Sequence, residues 1–142
     1  MPNADDPFDL QRFIDAQDRV YDNVCAELRS GRKRTHWMWF IFPQIAGLGH
    51  SAMAQRYAIS SLEEAKAYLN HPVLGPRLRE CTRLVTLVEG RSAYEILGSP
   101  DDMKFHSCLT LFANAAPEDR VFWDALESYF DGEEDSLTVA KL

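Results

Sequence analysis

Thirteen consecutive residues hold the densest chemistry in this chain: Arg32-Lys33-Arg34-Thr35-His36-Trp37-Met38-Trp39-Phe40-Ile41-Phe42-Pro43-Gln44. Two of the three tryptophans lie here, directly after three cations, with His36 and Gln44 supplying directional hydrogen-bonding groups. Indole faces stack on planar rings, and cations with amide donors hold anions. The block therefore reads in two ways: as one wall of a site for a nucleotide-like or phosphorylated small molecule, or as a core segment, because aromatics dominate core burial. In the second case the indole N–H groups need acceptors, which Gln44 and His36 could supply. Gly47-Leu48-Gly49 follows, too short to count as a phosphate loop.

Two further polar residues stand where helical periodicity calls for apolar ones. Gln17 falls inside the apolar arc of Phe13, Val20, Tyr21 and Val24, and Arg77 heads the arc of Cys81, Leu84 and Val88. A buried guanidinium needs a partner. That partner is a carboxylate on a neighbouring helix, a polar exit past the helix end, or an anion bound at the core's edge. The helix expected after Pro100 is unusual too. Its apolar face is Phe105, Cys108, Leu109 and Phe112; its other face, His106, Ser107, Thr110 and Asn114, carries almost no charge. A solvated face normally holds Lys and Glu, so this one packs on a polar surface, lines a cleft, or is simply exposed. Lys104 sits near the positive end of that helix, a poor location unless an anion is close.

The candidate ligand set is thus Gln17, His36, Trp37, Trp39, Gln44, Arg77, Lys104 and Thr110. A phosphate role for Arg77 and Lys104 requires that they converge within hydrogen-bond reach. No Walker, Rossmann, nucleophile-elbow or His-Glu-x-x-His pattern occurs. The four histidines and three cysteines show no metal-ligand spacing, so neither a metal nor a cofactor is expected.

The elements that position these residues are helical. Periodicity predicts helices over about 8–29, 51–59, 61–70, 72–89, 92–98, 101–115 and 117–130. Gly31, Gly90, Gly98 and Gly132 act as stops. Ser61–Glu64 and Ser92–Glu95 read as capping boxes, and Asp101 or Asp102 as a cap. The aromatic block is either a short buried strand or a helical turn, and the tail after Asp131 a short turn or strand. The fold expected is a mainly α, compact single-domain bundle of about seven helices over 1–142, joined by short loops.

Composition bounds the rest. The chain is 142 residues long, 46% hydrophobic and 26% charged, as in a soluble globular domain. A net charge of −7 argues against bulk nucleic-acid binding, although Arg32–Arg34 could meet one phosphate. Met1 to Phe8 carries no apolar run, and nothing approaches the roughly 20 apolar residues of a membrane span. Cys25, Cys81 and Cys108 read as reduced core thiols of a cytoplasmic protein. Oligomeric state is not legible.

The block from His36 to Gln44, followed by Gly47-Leu48-Gly49 and Ser51, resembles the signature of domain-of-unknown-function family 1810, a bacterial family sometimes labelled calpastatin. The resemblance extends over nearly the whole chain. It takes in Arg12-Phe13, Ala16-Gln17 and Tyr21, then Tyr57-Ala58-Ile59, His71-Pro72-Val73-Leu74-Gly75 and Arg77-Leu78, and finally Lys104, Ser107, Thr110-Leu111-Phe112 and Asp135. It implies a small helical fold without an established activity. The calpastatin label does not suit a chain with this apolar content, since that inhibitor acts through disordered segments. A looser likeness, in the order of parts, is to the NADAR N-glycosidases. It implies N-glycoside hydrolysis with Asp135 as a candidate carboxylate; the acidic residue expected before the glutamine is replaced here by Phe42 and Pro43. The alternative to a ligand site is a non-enzymatic interaction module, with the aromatic block as core.

Overall fold

A computed structural model describes residues 5–142; residues 1–4, part of the N-terminal stretch considered above, lie outside it. The described residues form ten helices: α1 Gln11–Asp18, α2 Tyr21–Arg29, α3 Met38–Ile41, α4 Ala52–Arg56, α5 Leu62–Asn70, α6 Leu74–Thr86, α7 Ala93–Leu97, α8 Asp101–Ala115, α9 Arg120–Phe130 and α10 Ser136–Val139. No strand occurs among them, only one parallel bridge between Ile45 and Ile59. The protein is mainly α, with three helices more than the periodicity predicted.

The first addition comes from a break. Periodicity made 8–29 one helix, but the chain turns at Arg19–Val20, where Val20 leaves helical geometry at φ −130°. No glycine or proline marks the turn. It exists because the two halves have different partners: α1 packs on α3, and α2 packs on α6. The second addition is α3, a single turn within the aromatic block, and the third is α10 in the tail. The four glycines read as stops all take left-handed φ, from +75° to +80°, beyond helix ends. Ser92 and Glu95 form a complete capping box. Ser61 caps α5, but the Glu64 carboxylate turns instead to the Ser60 N–H and hydroxyl, both at 2.8 Å. Neither Asp101 nor Asp102 caps α8; the cap position is Pro100, and Asp101 pairs with Lys33 at 3.0 Å.

The centre is α8, whose Phe105, Cys108, Leu109, Leu111, Phe112 and Ala113 are fully buried. It packs against α5, α7, α9 and α10. The aromatic block joins this core through Phe42, whose ring meets Phe105 edge-on at 4.9 Å. Cys25, Cys81 and Cys108 are free and buried, and among the described residues no helix is long and apolar enough to cross a membrane.

Three polar side chains tie the interior together. Gln17 donates to the Phe40 carbonyl at 2.7 Å and to the Tyr68 hydroxyl at 3.0 Å, fastening α1 to α3 and α5. The Arg12 guanidinium donates to the carbonyls of Phe8, Asp9, Arg56 and Ala58 and pairs with Glu64 at 3.0 Å. One side chain thus gathers the chain's start, the end of α4 and the start of α5.

Glu27, on α2, does the same for the segment entering the aromatic block. Its carboxylate is buried, yet it accepts from the N–H groups of Arg34 at 2.6 Å and Thr35 at 3.0 Å and from the Trp37 indole at 3.1 Å. The Thr35 hydroxyl and the Asn23 amide, each at 2.6 Å, complete the shell. Burial alone would push this carboxyl up, but the hydrogen bonds from Thr35, Arg34 and Trp37 outweigh it and hold it at about 2.

Two outcomes follow from this packing. A methyl group at Gly75 would collide with the Leu69 carbonyl oxygen where α6 leaves α5, and backbone cannot swing aside. Gly75→Ala should therefore cost more than about 2 kcal/mol in urea unfolding. Glu27→Gln should cost about 2–3 kcal/mol at neutral pH, because an amide would point a donor at donors. Glu27 is more acidic folded than unfolded, so its contribution is complete above its unfolded value of 4.5 and drains as pH falls towards 2. The stability gap between the two proteins should narrow over that range.

Candidate functional site

The candidates from the sequence divide among four places. Gln17 and Trp37 are core: Trp37 is 1% exposed and spends its N–H on Glu27, not on Gln44 or His36. Arg77 is half-buried beside them. It meets Asp18 at 2.9 Å, approaches Gln17 at 3.4 Å and lies over the Tyr21 ring at 4.7 Å. The polar residue on its arc is thus answered by a carboxylate from a neighbouring helix. His36 is exposed.

Thr110 and Asp135 belong together, as anchors. The uncharged face of α8 is where the tail docks. His106 Nε2 meets the Glu133 carbonyl at 2.7 Å, Ser107 donates to Asp135 at 3.0 Å, the Asp135 N–H donates to Thr110 at 2.9 Å, and Asn114 donates to Glu134 at 2.6 Å. Small hydroxyl and amide groups suit this role, because they bond the tail's backbone and carboxylates without bringing a charge of their own to desolvate. Asp135 also caps α10, accepting from the Thr138 hydroxyl at 2.6 Å.

Trp39, Gln44 and Lys104 come together around one cavity of about 140 Å³ between α3, α4 and the start of α8. Gly47, Gln55 and Tyr57 also line it, with Met38, Phe42 and Ile45 as an apolar floor, and none of the lining residues is acidic. Backbone pairing holds the wall: Ile59 N–H donates to the Gln44 carbonyl and Ala46 N–H to the Ile59 carbonyl, both at 2.8 Å. Arg77 does not line this cavity, so the two cations expected to share a phosphate do not meet there.

The cavity's polar groups are donors with little to do. The Gln44 side-chain amide and the Trp39 indole make no hydrogen bond to another described residue, and Gln55 donates to the His50 carbonyl at 2.9 Å. Lys104 lies 5.5 Å from the centre of the Trp39 ring. Its nearest carboxylate is Asp101 at 3.9 Å, which is held more closely by Lys33 at 3.0 Å. Lys33 is itself 5.0 Å from the Trp37 ring centre, so the middle cation of Arg32–Arg34 is spent inside the fold. No group of three His, Cys, Asp or Glu residues stands together as a metal set among the described residues.

Sequence reasoning passed over Gly47 as half of a weak glycine pair, and missed Gln55 and Tyr57. Gly47 takes φ +96° in the cavity wall, a conformation that favours glycine. The only signal within the chain was its closeness to Gln44.

The chain is similar over 96% of its length to the conserved hypothetical protein Rv1873 from Mycobacterium tuberculosis, known from a crystal structure at 1.38 Å. The two share 60% identity and superpose with a TM-score of 0.95, covering 98% of that protein. No curated protein matches. Residues 7–142 match the model for the family described as protein of unknown function, DUF1810, and the chain belongs to that family.

Proposed function

We propose that the cavity at Trp39, Gln44 and Lys104 is a binding site for a small anion about one ring in size. The observation that carries this reading is a set of donors, the Trp39 N–H and the Gln44 side-chain amide without hydrogen bonds and the Lys104 ammonium with only a carboxylate 3.9 Å away, around a cavity with no carboxylate in its lining. Donors without acceptors are matched by a ligand that brings acceptors, and a charged acceptor makes the stronger bond.

Size narrows the nucleotide-like expectation. Pockets for drug-sized ligands run to about 300–1,000 Å³, whereas a cavity of roughly 150 Å³ holds benzene. At about 140 Å³ the site takes one planar ring or one pentose with its anionic group. A larger nucleotide would leave most of itself in solvent. The face of Trp39 offers a stacking surface for the ring. The lining supplies no carboxylate for N-glycoside hydrolysis, and Asp135 is engaged as a cap, so the reading is of binding and not of catalysis.

The test is a melting and tryptophan-fluorescence screen with benzoate, nicotinate, phenyl phosphate, ribose 5-phosphate and ADP-ribose. A probe at about 100 times its dissociation constant should add about 2.7 kcal/mol of stability, with ADP-ribose no tighter than ribose 5-phosphate. Lys104→Met should weaken the best probe about tenfold or more. If no probe stabilises the protein, the site reading falls and the interaction-module reading gains.

A further inference from the structure

The closing segment of the chain comes up against Gly47, one residue of the cavity wall, although Lys141 is not itself among the lining residues. Once 133–138 are laid on α8, α10 follows, and the Lys141 N–H closes it on the Thr138 carbonyl at 2.9 Å. The Lys141 side chain then lies across Gly47. A methyl group built on Gly47 would stand 2.9 Å from Nζ and 3.2 Å from Cε. Only a bare Cα lets the ammonium sit this close to the cavity wall.

This ammonium is unpaired. Among the described residues no carboxylate comes within 4.0 Å of it, although the protein carries a net charge of −7. Lys141 is exposed, and its flexible stem lets the charge travel. Lys104 already supplies one cation from the wall. A second, lying against the wall residue Gly47 on a flexible stem, fits a ligand whose terminal group carries two negative charges. A monocarboxylate would leave one ammonium unmatched.

We propose that Lys141 is the second cation of the site, and that the ligand class is the one-ring phosphate monoester, with Lys104 and Lys141 sharing its phosphate. This rests on the reading of the cavity given above. On it, the uncharged face of α8 serves recognition indirectly: Ser107, Thr110 and Asn114 place the segment that delivers Lys141.

Phenyl phosphate and benzoate, matched in ring but not in charge, separate the possibilities in titrations of the intact protein at pH 8. Wild type should bind phenyl phosphate about tenfold tighter than benzoate. Lys141→Met should weaken phenyl phosphate about tenfold and benzoate less than about threefold, with Lys141→Arg restoring most of the loss. An unchanged melting temperature in Lys141→Met shows that the fold is intact, as expected for an exposed side chain. If Lys141→Met binds phenyl phosphate like wild type while Lys104→Met does not, Lys141 has no part in the site and the cavity reading survives. If wild type binds neither probe at roughly 10 mM, both readings fall.

Discussion

The buried carboxylate of Glu27 is the interaction on which the geometry of this protein turns. It takes in the N–H groups of Arg34 and Thr35, the Thr35 hydroxyl, the Asn23 amide and the Trp37 indole, and so fixes how the chain enters the aromatic block. A charge buried this deeply is tolerable only when its lone pairs are satisfied, and here they are. The consequence reaches the cavity. Trp37 stays in the core just ahead of α3, and Trp39, inside α3, is left half-buried beside Lys104.

The central helix serves two surfaces by splitting its faces. One face of α8 is fully apolar and holds the core together; the other is polar but uncharged and holds the tail. Its first turns contribute Asp101, which neutralises Lys33 and leaves Lys104 with only a distant partner. The positive end of the helix dipole points the same way as that ammonium. The charge that was unfavourable in the sequence is therefore located beside a cavity wall that lacks acids.

The other polar residues of the interior have structural work. Gln17 bonds α1 to α3 and α5, Arg12 with Glu64 gathers three chain segments, and Arg77 is paired with Asp18. Gln17 and Arg77 were as conspicuous in the sequence as the cavity residues. What separates the two groups is whether the donors are spent. The Gln17 amide spends both of its N–H donors inside the fold, while the Gln44 side-chain amide spends none.

By itself the sequence determined the helical class, most helix ends, the burial of Gln17 and the oddity of the α8 face. These depend on a residue's neighbours three and four positions away, and periodicity records such neighbours directly. The break at Arg19–Val20, the choice of Trp37 over Trp39 for the core, the role of Glu27 and the arrival of Lys141 at Gly47 were decided by the tertiary structure alone. Each depends on a partner far along the chain, and a side chain's local pattern is the same whether its hydrogen bond or counter-charge is present or absent. The sequence thus marked which residues are out of place on their own helices. Only the packing of those helices settled which of them had been answered and which were left facing a cavity.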